Sequence, residues 1–283
     1  MIVCGGAGFI GSAFTRLVKD PVVIDKLTYA GDKKRIPGVK LHKLDICSDI
    51  SRIVKNHDIL ANFAAETHVD NSIKDPTPFL TTNVLGVHNL LSICIKYNIL
   101  YIHISTDEVY GEILEGKAKE DWKLNPGNPY SASKAAGEML VKSYIRTYGL
   151  RSIIIRPCNN YGPYQNEEKF IPYTIKNGAN IYGDGTQIRE WLYVDDCAKG
   201  IFTIIKKGKV GEVYNLGSEY LNSNINIASM IGTDIRFVKD RPGHDRRYAM
   251  DSSKIRGLGW YPKVPFNEGL YKTIDFFLTF NKN

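Results

Sequence analysis

The chain has 283 residues, 43% of them hydrophobic and 24% charged, with a net charge of +7. This is an ordinary globular composition, long enough for a large core and two lobes. No run approaches the ~20 apolar residues of a membrane span, and the Lys and Arg residues are mixed with acids along the chain, so neither a membrane nor a nucleic acid is an expected partner. The five cysteines (Cys4, Cys47, Cys94, Cys158, Cys197) are scattered, odd in number and never spaced Cys-x-x-Cys. That spacing argues against a disulfide framework and a structural zinc site; no metal is expected.

Residues 1–4 predict a short buried strand that runs into a glycine turn, not a signal peptide, and a cytoplasmic protein is expected. A helix follows over 10–19, then strands over 21–25, 40–44 and 59–64. Residues 78–97 predict a long helix, with Leu80, Val84, Val87, Leu90, Leu91, Cys94 and Ile95 at helical spacing. A strand over 100–105, a helix over 130–148 ending at Gly149, and a strand over 151–156 continue the alternation. Near-continuous apolar strands alternating with helices indicate an α/β fold with a Rossmann-type, doubly wound parallel sheet. After Pro157 the pattern loosens. Residues 159–165 and 182–185 read as turns, 195–206 as helix, 213–216 as strand, 225–231 as helix and 235–238 as strand. The expected division is a large domain over 1–157, with 190–217 returning to it, and a smaller substrate lobe over 158–189 and 218–283. The clusters Lys33-Lys34-Arg35 and Lys206-Lys207-Gly208-Lys209 read as solvated loop ends.

Gly5-Gly6-Ala7-Gly8-Phe9-Ile10-Gly11 follows a strand and opens a helix. Glycines there permit a tight turn and let backbone amides approach a pyrophosphate. Asp25, at the end of the second strand, suits the ribose hydroxyls and repels a 2′-phosphate, so NAD is the expected cofactor. Asp45 and Ile46, after the third strand, are candidates for the adenine side. Ala64 and Ala65 end the fourth strand with small side chains that leave room for a ring. His68 has a structural reading, and Asn83 is a candidate to bond loop backbone and support the site.

Tyr130-Ser131-Ala132-Ser133-Lys134 places a phenol and an ammonium four residues apart on one helix face. A nearby cation favours phenolate and brings Tyr130 toward working range. Thr106, Asp107 and Glu108 follow the fifth strand on the same sheet edge. An alcohol dehydrogenase does not need that acid–base pair; its presence suggests that an elimination follows the oxidation.

These stretches, with Asp25-Lys26-Leu27-Thr28-Tyr29-Ala30-Gly31, the segment from Asn159 to Gln165, Ile188-Arg189-Glu190-Trp191 and the segment from Arg241 to Tyr248, resemble the extended short-chain dehydrogenase/reductases, and within them the dTDP-glucose 4,6-dehydratases. The resemblance runs nearly end to end. It implies that Gly5, Gly8, Phe9, Ile10, Gly11, Asp25, Lys26, Thr28, Asp45, Ile46, Ala64, Ala65, Tyr130 and Lys134 hold NAD. It implies that Tyr130 takes the proton from the sugar 4-hydroxyl as hydride leaves carbon 4, with Thr106 bonded to that hydroxyl. Glu108 then removes the carbon 5 proton, Asp107 protonates the departing 6-hydroxyl, and hydride returns to carbon 6. Asn159 or Asn160, Lys169, Phe170, Tyr182, Arg189, Asn224, Arg241 and His244 are implied to contact the sugar nucleotide, dTDP-glucose. UDP- or CDP-glucose as substrate, a sugar-nucleotide epimerase and a non-catalytic NAD-binding protein are the alternatives. A homodimer built from the helices beginning near Pro78 and Tyr130 is also implied. Two departures stand out: the loop after Tyr29 is short for the family, and 218–235 looks trimmed.

Overall fold

The computed structural model describes residues 1–279; 280–283, assigned to the small lobe above, lie outside the described residues. The strands in chain order are β1 (Ile2–Cys4), β2 (Val22–Asp25), β3 (Lys40–Lys43), β4 (Ile59–Asn62), β5 (Leu100–Ile104), β6 (Ser152–Pro157), β7 (Asn159–Tyr161), β8 (Ala179–Tyr182), β9 (Ile188–Tyr193), β10 (Val213–Leu216), β11 (Leu221–Ser223) and β12 (Ile235–Val238). Seven form one sheet in the order β10-β6-β5-β4-β1-β2-β3, every pair of it parallel. Alternate residues feed opposite cores. Ile102, Ile104, Ile153 and Ile155 join one buried cluster, while Tyr101 and Ile154 join the other. Both faces are covered, which is why these strands read as continuous apolar runs and not as alternating ones. Strand order reverses between β1 and β4, so the crevice at their carboxyl ends is the natural ligand position.

The Pro129–Tyr148 helix begins with a capping box between Asn128 and Ser131, carries Pro at its first turn and ends at Gly149 in the left-handed region. The Phe9–Thr15 helix is shorter than the pattern predicts, because the chain turns through Asp20 at positive φ into Pro21. Thr77–Tyr97 is one 21-residue helix with mean hydropathy 1.3, long and apolar enough by length and composition to cross a membrane. Its Val87, Leu90, Leu91 and Cys94 are buried in the core, and it packs against the Pro129–Tyr148 helix. Its Thr81–Gly86 stretch is π-helical and contains the buried Asn83.

The chain after β6 departs most from expectation. Residues 159–161, read as turn, are β7, which pairs in parallel with β9; β9 also pairs antiparallel with β11. Because β9 runs to Tyr193, the return to the large sheet starts not at 190 but with the Val194–Lys207 helix, which packs on the Phe9–Thr15 helix, and continues to β10. β8 pairs with β12 in a separate ribbon. The helices Phe170–Asn177 and Phe266–Thr279, unassigned by sequence pattern, cover the small sheet with Tyr161, Ile171, Trp191, Tyr193, Phe266 and Leu270.

Arg156 and Glu138 are both fully buried and form a two-point ion pair, 2.9 Å from Nε to Oε1 and 2.6 Å from Nη2 to Oε2. Arg156 Nη1 also donates to Tyr110 Oη at 2.5 Å, and Tyr110 Oη donates to Asn215 Oδ1 at 2.7 Å. This network joins β6, β10, the Pro129–Tyr148 helix and the turn after β5. Arg156→Met leaves Glu138 buried without its partner, which costs about 3–5 kcal/mol. A free energy of unfolding in urea lowered by that amount is expected; a change within ~0.5 kcal/mol, typical of a surface site, counts against it.

Candidate active site

Gly5 leaves β1 at φ +72°, and a Cβ on it would lie 2.4 Å from the Ala64 amide nitrogen. A Cβ on Gly11 would lie 2.1 Å from the Gly5 carbonyl oxygen. The turn therefore needs glycine at both positions. Asp25, buried at the end of β2, accepts hydrogen bonds from the Ala7 amide at 2.9 Å and the Leu27 amide at 2.8 Å. It lines a cleft of about 90 Å³ with Lys26, Thr28, Asp45, Ile46, Ala64 and Ala65. Lys26 and Asp45 form an ion pair at 2.8 Å across it. Gly5, Gly8, Ala30, Phe63 and Ala65 are shared with a larger cleft of about 250 Å³. The larger cleft also takes in Phe9, Ile10, Gly11, Thr106, Asp107, Glu108, Tyr130, Lys134, Asn159, Asn160 and Lys169. Among its lining atoms, Ser105 Oγ, Asp107 Oδ2, Asn159 Oδ1, Asn160 Oδ1 and Gln165 Oε1 are buried without a partner. A side-chain-free cradle, a carboxylate at the adjoining end and unpartnered polar atoms around the rest fit a dinucleotide with a polar second ligand.

The reactive groups converge from two elements. Thr106 caps the turn Asp107–Tyr110 by accepting from the Glu108 amide, and its hydroxyl donates to Asp107 Oδ1 at 3.1 Å. Burial pushes the Asp107 carboxyl well above the carboxylate range, and the charges of Glu108 and Glu190 push it further. Burial also raises Glu108, but Arg189, Arg241 and Lys169 oppose it. Both neighbours are thus raised, Asp107 the further. Tyr130 does not sit as expected. Burial, then Glu108, raises its phenol, with the Thr106 hydroxyl pulling the other way. Lys134, pushed down to about 8 by burial, donates to the Ile104 carbonyl at 2.7 Å. Its ammonium is thus engaged with β5 and not with the phenol.

Asn83 is the support the sequence suggested. It exchanges two hydrogen bonds of 3.0 Å with the Glu66 backbone and donates to Ser133 Oγ at 2.9 Å. The π-helical stretch places it there. His68 is structural: it caps the Val69–Lys74 helix through the Asn71 amide.

The remaining predicted residues divide. Lys169 lines the larger cleft and donates to the Thr67 carbonyl at 3.0 Å. Phe170 turns away and packs against Trp191 in the small-sheet core. Asn224 starts a helix and lines neither cleft. Tyr182, Arg241 and His244 form their own group. Asp70 accepts from Tyr182 Oη at 3.2 Å and from Arg241 at 3.5 Å, and His244 contacts Asp240 at 2.7 Å. Arg189 is buried, not in a surface ion pair; it donates to the carbonyls of Ile188, Asp245 and Arg246 and lies over the Tyr248 ring. Sequence reasoning missed Ala30, Thr67, Cys158, Gln165 and Asn166 in the larger cleft. Of these, Ala30 and Gln165 stood within quoted motifs, and none of the five carried a signal that singled it out before folding.

A carboxyl raised in the folded state binds its proton more tightly there than when unfolded. That stabilisation is complete below the unfolded value of about 4 and is lost as pH rises through the raised folded value. Asp107→Asn, neutral throughout, is therefore expected to melt progressively higher than the parent as pH is raised from about 4. A melting difference that is flat with pH would show that Asp107 is not shifted.

Comparison with known proteins agrees with this geometry. The NAD dependent epimerase/dehydratase family matches residues 1–217. The low-salt glycan biosynthesis protein Agl12 of Haloferax volcanii is 43% identical, covering 98% of each chain. The dTDP-glucose 4,6-dehydratase 1 of Escherichia coli is 40% identical over 100% of this chain and 93% of its own. The crystal structure of DesIV, a dTDP-glucose 4,6-dehydratase of Streptomyces venezuelae with NAD and TYD bound, superposes with a TM-score of 0.95 at 39% identity, covering 98% of this chain and 96% of its own. With a glycine cradle, a strand-end carboxylate and a full-length match of sequence and fold, this chain belongs to the NAD dependent epimerase/dehydratase family.

Proposed function

We propose that the chain converts dTDP-glucose to dTDP-4-keto-6-deoxyglucose, as a hydro-lyase that uses NAD and leaves it unchanged. The observation that carries this reading is the pair Asp107 and Glu108 in the same cleft as Tyr130 and Lys134. An epimerase needs no acid beside a base at this point. The relatives named for 4,6-dehydration support the choice.

NAD, when bound, supplies the hydride acceptor at carbon 4 and the donor at carbon 6. The residues that would hold it are Gly5, Gly8, Phe9, Ile10, Gly11, Asp25, Lys26, Thr28, Asp45, Ile46, Ala64 and Ala65, with Lys134. Tyr130 and Thr106 handle the proton of the 4-hydroxyl, Thr106 favouring the phenolate that its surroundings disfavour. The ketone so formed acidifies the proton on carbon 5. Glu108 removes it; burial raises this carboxyl, and three cations limit the rise. Asp107, raised well above the carboxylate range, retains its proton and gives it to the departing 6-hydroxyl. Water leaves, and carbon 5 is reprotonated after hydride return. Asn159, Asn160 and Lys169 are the sugar contacts. Arg189, Arg241, His244 and Tyr182 are the nucleotide contacts; Arg241 is already gathered against the Tyr182 ring at 5.6 Å.

The protein is proposed to be a cytoplasmic homodimer. Leu80 and Leu85 on one helix and Met139 on its neighbour are each more than half exposed, the kind of patch a second copy covers. A cytoplasmic setting fits five free cysteines, four of them buried.

Proton NMR of the purified protein with dTDP-glucose in deuterated water, without added NAD, is expected to show a new methyl signal with deuterium at carbon 5. Turnover of UDP- or CDP-glucose instead would correct the base and keep the mechanism. No reaction with any of them, even with NAD supplied, would end the dehydratase reading. Asp107→Asn is expected to slow steady-state turnover about 10²- to 10⁴-fold, the range for a lost general acid, while single-turnover cofactor reduction partly survives. Equal loss of both half-reactions counts against the assigned role.

A further inference from the structure

Lys33-Lys34-Arg35, in the short loop after Tyr29, does not behave as one solvated cluster. Lys33 and Lys34 are exposed, but Arg35 is half-buried. The loop makes a single 3₁₀ turn capped by the Asp32 side chain on the Lys34 amide, and this turn aims Arg35 inward. Its Nη1 donates to the Ala30 carbonyl at 2.9 Å and to Ala7, in the glycine turn, at 3.4 Å. Its Nη2 donates to Asn166 Oδ1 at 3.0 Å, 131 residues away. Ala30 and Asn166 both line the larger cleft, so one guanidinium ties two of its walls together.

A second contact repeats the pattern. Tyr29 Oη donates to Glu168 Oε1 at 3.1 Å. Arg16, which also donates to the Arg35 carbonyl at 3.1 Å, lies 5.5 Å over the Tyr164 ring. Segment 164–169, between β7 and the Phe170–Asn177 helix, is thus held at several points to the loops that follow β1 and β2. Gln165, Asn166 and Lys169 of that segment line the cleft as well.

We infer that Tyr29 and Arg35 clasp segment 164–169 across the cofactor cleft and slow the release of NAD between turnovers. Both are positioning residues; neither lines the larger cleft. The inference rests on the reading of this cleft as the NAD site. The chemistry gives it a purpose: a cofactor that ends each cycle in its starting form has no need to exchange, so slow release costs no turnover.

The test is exchange of bound isotope-labelled NAD against excess unlabelled NAD, read after rapid gel filtration. The parent protein is expected to carry NAD through filtration. Arg35→Met is expected to release it at least about tenfold faster, the factor for a lost charge-assisted hydrogen bond, and added NAD should restore its turnover. Tyr29→Phe removes one exposed hydroxyl, leaves packing untouched and is expected to speed release severalfold, so the test survives if Arg35→Met folds poorly. Glu168→Gln keeps an acceptor for Tyr29 and should exchange like the parent. Parental exchange rates in both Arg35→Met and Tyr29→Phe, with NAD binding and turnover intact, would overturn the clasp and leave the proposed function standing. A parent protein that binds no NAD at all would remove both.

Discussion

The arrangement of the site depends on one buried ion pair. Arg156 enters from β6 and meets Glu138, one helical turn beyond Lys134, while its other amino group reaches Tyr110 at the end of the turn that carries Asp107 and Glu108. The phenol and lysine of the helix and the two carboxyls of the turn lie on separate elements. Nothing in their own backbones sets the distance between them. A planar guanidinium with donors in a fixed fork does. Because both charges are wholly buried, the pair is a poor source of net stability and a strict source of geometry: any shift of helix against turn uncovers an unpaired charge.

That rigidity suits a site in which neighbouring carboxyls are proposed to do opposite work. Asp107 and Glu108 are adjacent in sequence and share burial. They differ in their other neighbours: Glu190 and one cation, Arg189, for Asp107, and three cations, Arg189, Arg241 and Lys169, for Glu108. Two of those cations, Arg189 and Arg241, come from β9 and from the segment after β12. The small sheets therefore shape the electrostatics of residues that the large sheet positions. The π-helical stretch around Asn83 does comparable work on the cofactor side, spending one irregular turn to fasten the Glu66 loop to the Pro129–Tyr148 helix.

The large sheet was readable because its strands are buried on both faces and end where the chemistry begins. Cys4, Asp25, Asn62, Ile104 and Pro157 are each the last residue of a parallel strand, and the residues just beyond them line the clefts. The small sheets were not readable. β7 is three residues of Asn-Asn-Tyr whose partner, β9, lies some thirty residues on, and local pattern carries no trace of such a pairing. Phe170 and Lys169 are neighbours in sequence, yet one enters a core and the other a cleft, which is a matter of how the Phe170–Asn177 helix is rolled. Arg35 looked like its two lysine neighbours until Asn166 was brought against it.

Sequence by itself determined the doubly wound sheet, the glycine cradle, the strand-end carboxylate and the set of reactive side chains, because each follows from residue type and spacing within about twenty residues of chain. Tertiary structure alone decided what those side chains are. It placed Lys134 on the Ile104 carbonyl and not on Tyr130, raised Asp107 further than Glu108, set Arg189 against the Asp245 and Arg246 carbonyls and fixed Arg35 across the cleft. The physical reason is common to all four. Ionisation and hydrogen bonding depend on burial and on charges brought from distant segments, and neither exists until the chain has folded.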